Sequence, residues 1–195
     1  MEQEDQEAMS TLTRAFRLTL LTLALATRTL AADPAIRSEL LDADAGARIL
    51  LQELTVQAPV AHVWAAYTTG EGWMAWAAPR AEVDLRPGGL IRTHYGADAE
   101  IGDPGTNVLH IVNFVPERIL TLQAEVTERW PDVMKADAEH LMNVIVFQPL
   151  GDEATLVQSY GVGYRDDPAY DDLLAFFIPA NEGLLGKLKE YVEGR

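Results

Sequence analysis

Chemistry near neutral pH falls first to histidine, and this chain has four: His62, His94, His110 and His140. No two stand at the i, i+4 spacing that places two ligands on one helix face, so no metal centre is expected. His110 alternates with Val108 and Val112, a pattern that could aim its imidazole inward as a proton donor or acceptor. His62 falls on the polar side of a helical run, and the direction of His140 is open. Tyr95, Asn107 and Tyr160 occupy strand-like runs and are candidate hydrogen-bond partners for a ligand if alternation turns them inward; a one-residue slip would turn each outward. Trp73 and Trp76 are candidates for lining an entrance, with Phe177 on a later apolar helix face, whereas Trp64 reads as packing.

Other constellations are weaker. Asp166-Asp167 and Asp171-Asp172 stand where a helix begins, where negative charge is stabilising. Gly161-Val162-Gly163 lacks a third glycine, so no dinucleotide cradle is read there. The chain has no cysteine, which excludes disulfides and thiolate chemistry. No residue is assigned as catalytic and no cofactor is expected. Thirty acidic residues against 15 basic ones give a net charge of −15, which repels phosphate backbones and anionic lipid surfaces. Nucleic-acid binding is therefore not expected. A hydrophobic fraction of 48% is enough for a packed core in 195 residues.

These side chains need elements to position them. Ile49 to Gln57 reads as a strand, stopped at Ala58-Pro59. Val60, Val63, Trp64 and Tyr67 then follow at i, i+3, i+4, i+7, one apolar helical face. Gly70 and Gly72 break that helix, and Trp73 to Ala77 reads as a second short one. Ala81 to Leu85 and Leu90 to Tyr95 flank a turn at Arg86-Pro87-Gly88-Gly89. Two further strands, Asn107 to Phe114 and Ile119 to Val126, precede a polar loop at 127–139. A hairpin of Leu141 to Gln148 with Ala154 to Val162 leads to Asp167-Pro168, then to one long helix from Tyr170 to Val192 in which Pro179 and Gly183 are kink sites. The expectation is an α+β fold in which a curved antiparallel sheet of about six to seven strands wraps the C-terminal helix.

The first part of the chain differs. Arg14 and Arg17 precede an apolar run from Leu18 to Ala26, and small residues follow at Thr29, Ala31 and Ala32. This is a secretory pattern, so residues 1–31 are expected to be a signal peptide cut before Ala32, with translation starting at Met9 to account for the acidic prefix. A periplasmic or secreted protein with no membrane span after processing is expected; a cytoplasmic one, with an amphipathic N-terminal helix, is the alternative. Residues 32–48 read as a linker and 49–195 as the domain.

Several motifs occur together in this order: Ala58-Pro59-Val60-Ala61-His62-Val63-Trp64, Trp73 with Trp76, Val83-Asp84-Leu85-Arg86-Pro87-Gly88-Gly89, Pro116-Glu117-Arg118, and a strand begun by Thr155. Across about residues 49–193 the chain resembles the SRPBCC or START-like superfamily (helix-grip, Bet v-type), and within it the group named for the activator of the ninety-kilodalton heat-shock protein's ATPase. The resemblance implies a helix-grip fold and a hydrophobic cavity. It does not imply one function, since members include lipid carriers, polyketide cyclases, hormone receptors and co-chaperones. The leading expectation is binding or transport of a small hydrophobic molecule. A cyclase or hydrolase-like enzyme using a cavity His or Tyr is the first alternative, and a co-chaperone-like interaction module with an unknown protein partner the second.

Overall fold

Antiparallel pairing joins eight strands into one sheet, in the order β1-β2-β8-β7-β6-β5-β4-β3. The computed structural model describes residues 36–43 and 46–194. The expected signal peptide, its cleavage point and the start at Met9 lie outside them. The strands are β1 (Arg37–Asp42), β2 (Ala47–Val56), β3 (Arg80–Val83), β4 (Leu90–His94), β5 (Asn107–Val115), β6 (Ile119–Ala124), β7 (Met142–Pro149) and β8 (Thr155–Arg165). Two short helices, α1 (Val60–Thr68) and α2 (Gly70–Trp76), carry the chain from β2 to the opposite edge, where β3 begins. A one-turn helix α3 (Asp132–Ala136) precedes β7, and α4 (Pro168–Val192) closes the fold.

The helix-grip expectation is met, with two additions. Arg37–Asp42, read as linker, is instead the edge strand β1, paired with β2 from Arg37↔Glu53 to Asp42↔Arg48. Arg-Ser-Glu-Leu-Leu-Asp has little intrinsic strand preference, so the free edge of β2 decides its conformation. Within the loop expected at 127–139, Pro131 opens a turn of helix whose Met134 joins Tyr170 and Leu173 in a small second core. The eight strands of the described residues are thus one more than the expected range of six to seven.

The main core lies between the sheet and the helices. Leu54, Val56, Ile91, Ile111, Leu120, Ile145, Phe147 and Val157 come from the strands, and Val63, Leu185, Leu188 and Val192 from the helices. Burying each large apolar side chain contributes ~1.5–3 kcal/mol before chain entropy is counted. α4 starts as its sequence suggests: the Asp167 side chain accepts from Ala169 N–H at 2.8 Å, and Pro168 occupies the first turn. Asp171 then meets Arg48 of β2 at 2.8 Å.

Candidate functional site

Alternation along β2 puts Leu50, Gln52, Leu54 and Val56 in one buried row facing α4. Gln52 is the exception in that row, a polar side chain only 1% exposed. Its Nε2 donates to Ser38 Oγ of β1 at 3.0 Å and to the Ile178 carbonyl of α4 at 3.2 Å, while its Oε1 accepts from Asn181 Nδ2 at 2.9 Å. Ser38 in turn donates to Glu182 at 2.7 Å. This network pins the sheet to α4 beside Pro179, which lies inside the continuous helix and withholds one backbone donor from it. Pinning at the network, with core packing further along α4, leaves a space between.

That space is a cavity of about 240 Å³. Its floor is the sheet, through Leu50, Leu109, Leu122, Ile145 and Val162; α4 forms its roof through Leu173, Phe177, Leu184 and Leu185. Met134 and Leu141 close one side, and Tyr67, Trp73 and Trp76 another. Polar groups enter at Gln52, Asn143, Ser159 and Asn181. Among the described residues that line it there is no Asp, Glu, His, Lys or Arg.

The aromatic wall is set by one glycine. A Cβ on Gly72 would stand 2.5 Å from the Ala65 carbonyl oxygen and 2.7 Å from Ala66 Cα, so only glycine lets α2 seat against the end of α1. Thr69 caps α2 by accepting from Gly72 N–H at 2.9 Å. Trp73 Nε1 then donates to the Tyr67 carbonyl at 2.7 Å, and Trp76 Nε1 to the Ala66 carbonyl at 3.0 Å. Both indole donors are thereby occupied, so these tryptophans offer a ligand apolar surface rather than hydrogen bonds. Burial pushes the phenols of Tyr67 and Tyr164 above the ordinary tyrosine range, so both stay protonated.

Of the residues expected at the site, Trp73, Trp76 and Phe177 line the cavity; Tyr95, Asn107, His110 and Tyr160 do not. Asn107 and His110 are three apart on β5 and so fall on opposite faces. Asn107 pairs with buried Thr93 on the inner face, but at the end of the strand, away from the lining. His110, with Val108, is on the outer face, 3.4 Å from Glu125, and its side chain is 45% exposed. Tyr160 alternates with buried Ser159 and faces outward beside Leu51 and Val144. Tyr95 lies one residue beyond β4 and is 62% exposed. The other histidines also stand apart from the cavity. His62 is exposed and edge-on to Tyr191, His94 accepts from Gly96 N–H at 2.9 Å, and His140 sits beside Glu139. Among the described residues no cluster of three or more His, Asp or Glu could hold a metal ion. Among the same described residues no helix is long and apolar enough to cross a membrane.

Sequence reasoning missed Gln52, Asn143, Ser159 and Asn181. Gln52 had a readable signal, a polar residue in the apolar phase of β2. Ser159 had a similar one, in phase with Thr155 and Val157. Asn143 and Asn181 had none.

A segment at the side of the cavity is latched by charge. Asp137 accepts from the Tyr170 hydroxyl at 2.5 Å and pairs with Arg165, joining the chain after α3 to α4 and β8. Burial and the Asp137 hydrogen bond push the Tyr170 phenol up to about 12.

The family model described as Activator of Hsp90 ATPase homolog 1-like protein matches residues 57–193. Among curated proteins none matches the chain. The solution structure of the Aha1 dimer from Colwellia psychrerythraea is similar at TM-score 0.59 and 14% identity, covering 74% of this chain and 96% of that one. CalU16 from Micromonospora echinospora gives TM-score 0.57 at 21% identity, over 83% and 86%. A conserved protein of unknown function from Enterococcus faecalis gives 0.54 at 14%, over 80% and 77%. At these identities the likeness shows a shared fold.

Proposed function

The chain belongs to the Activator of Hsp90 ATPase homolog 1-like family, and we propose that it binds a small hydrophobic molecule between its sheet and α4. Family membership admits a ligand-binding domain or a co-chaperone-like one; the cavity of about 240 Å³ favours the first. Among the described residues no histidine or carboxylate lines it, which weighs against acid–base catalysis by such groups there, and the imidazole of His110 faces away. Affinity would come from removing apolar ligand surface from water, at ~25 cal/mol per Å² before the entropy of association.

Titration with 1-aminoanthracene, an uncharged fluorescent probe, tests this reading. One equivalent is expected to bind with a rise in emission. Ala124 lines the cavity, so Ala124→Phe should fill part of it and weaken binding without unfolding the domain. Absence of saturable binding, or equal binding by the filled variant, would count against the cavity as the site.

Export is part of the same proposal, supported by the basic, apolar and small-residue order of residues 14–32. N-terminal sequencing of the protein from its native host should find Ala32 first; a mature chain retaining Met1 would remove the idea.

A further inference from the structure

The chemistry of the cavity wall narrows the ligand class, given that the cavity is the binding site. Five aromatic residues line it: Tyr67, Trp73, Trp76, Tyr164 and Phe177. No lining residue among the described ones carries a charge, so a carboxylate or ammonium placed inside would lose its hydration with no counter-ion from them in exchange. Behind the polar wall, the Glu182 carboxylate is held 2.7 Å from Ser38, the partner of Gln52, and it would repel an anion further.

The polar groups are not all occupied by one another. Gln52 uses both amide hydrogens, on Ser38 and Ile178. Asn143 does not: its Oδ1 accepts from Ser159 Oγ at 3.0 Å, while its Nδ2 has no partner among the described residues. Tyr67 is only 4% exposed, yet its hydroxyl likewise has no hydrogen-bond partner among the described residues. A buried phenol kept protonated by its surroundings is a standing donor. Neither atom is among the fully buried unpartnered ones of the described residues, so each meets accessible space, and two such groups on the wall of one cavity mark where a ligand's own polar atoms would be received.

We propose that the cavity selects an uncharged, largely aromatic molecule bearing a hydroxyl or carbonyl oxygen, read by the Tyr67 hydroxyl and the Asn143 amide. Carboxylates of the same shape are rejected, and so are fatty acids. This rests on the hydrophobic-binder reading and adds to it the ligand's charge state and polar handle.

Calorimetric titration with naphthalene, 2-naphthol and 2-naphthoate at neutral pH separates the possibilities. The three share one apolar body and differ in the polar group. 2-Naphthol is expected to bind about 100-fold or more tightly than 2-naphthoate, and about tenfold more tightly than naphthalene. Tyr67→Phe and Asn143→Leu are each expected to erode the advantage of 2-naphthol over naphthalene by severalfold, read as the ratio of the two affinities within each variant; circular dichroism verifies their folds. If 2-naphthoate binds within tenfold of 2-naphthol, or both variants keep the full advantage over naphthalene, the polar selection is wrong while hydrophobic binding stands. If none of the three binds the wild type, both readings fall. The wild-type comparison requires no variant to fold.

Discussion

Replacing Gln52 by glutamate tests whether the wall between β2 and α4 accepts charge. The substitution keeps the shape but exchanges a double donor for a carboxylate. At 1% exposure that carboxylate has no water. It would face the Ile178 carbonyl oxygen, an acceptor, where the amide donated at 3.2 Å. Only the Asn181 N–H and the Ser38 hydroxyl could stabilise it, and Ser38 already donates to Glu182. Full burial raises a carboxyl by roughly 3–5 pKa units, and one or two hydrogen bonds to the ionised form reduce that to about 2–4. At 1.36 kcal/mol per unit the variant should be less stable than wild type by ~3–5 kcal/mol at pH 7.5. The sign follows from the raised folded-state pKa. The protonated carboxyl is the form tolerated inside, so this penalty is absent below the unfolded value of about 4.3 and grows as pH rises toward the folded one. Near pH 4 only about 1 kcal/mol should remain, for the lost donor. Thermal unfolding of both proteins across this range reads the difference; in a chain of this size it corresponds to ~6–20 °C in Tm at pH 7.5 and ~2–4 °C near pH 4. A gap independent of pH, or below about 1 kcal/mol at pH 7.5, would refute the reasoning that this wall excludes charge.

Gly72→Ala should destabilise the domain by more than ~2 kcal/mol, because the added Cβ meets backbone at 2.5 Å that cannot move aside; urea denaturation followed by tryptophan emission measures it, and a loss under ~0.5 kcal/mol would contradict the close seating of α2. Asp137→Asn should cost ~1–3 kcal/mol locally and raise hydrogen exchange in residues 127–141 without altering exchange in β5 and β6, since the carboxylate ties Tyr170 and Arg165 together; unchanged exchange there would show that the latch holds nothing. With its phenol raised to about 12, Tyr170 contributes stability that is fully present below an unfolded pKa of about 10 and is lost as pH climbs to about 12. Tyr170→Phe should therefore flatten, but not abolish, the alkaline loss of stability, because Tyr67 and Tyr164 are raised as well; an unchanged alkaline limb would argue against the Asp137 contact.

Local order determined most of the fold. Turn residues such as Arg86-Pro87-Gly88-Gly89, the alternation of β2 and β8, and the apolar stripe of α4 are short-range features, and each is legible without a partner. From the same sequence came the aromatic wall, because Trp73, Trp76 and Phe177 follow helical periodicity. What tertiary structure alone decided was β1, the helix within 127–139, and the direction of most polar candidates. β1 exists because β2 offers an unpaired edge, a fact residing in β2 rather than in Arg37–Asp42. Alternation tells which residues share a face but not which face is covered. His110 was correctly grouped with Val108, yet the covering helix lies on the side of Leu109 and Ile111. A bulge between Ile111 and Asn113 then shifts the phase so that Phe114 also points inward. The polar wall of Gln52, Asn143, Ser159 and Asn181 gathers three strands' worth of register and one helix rotation into a single place. Those are long-range quantities, set when α4 packs on the sheet, and no local pattern carries them.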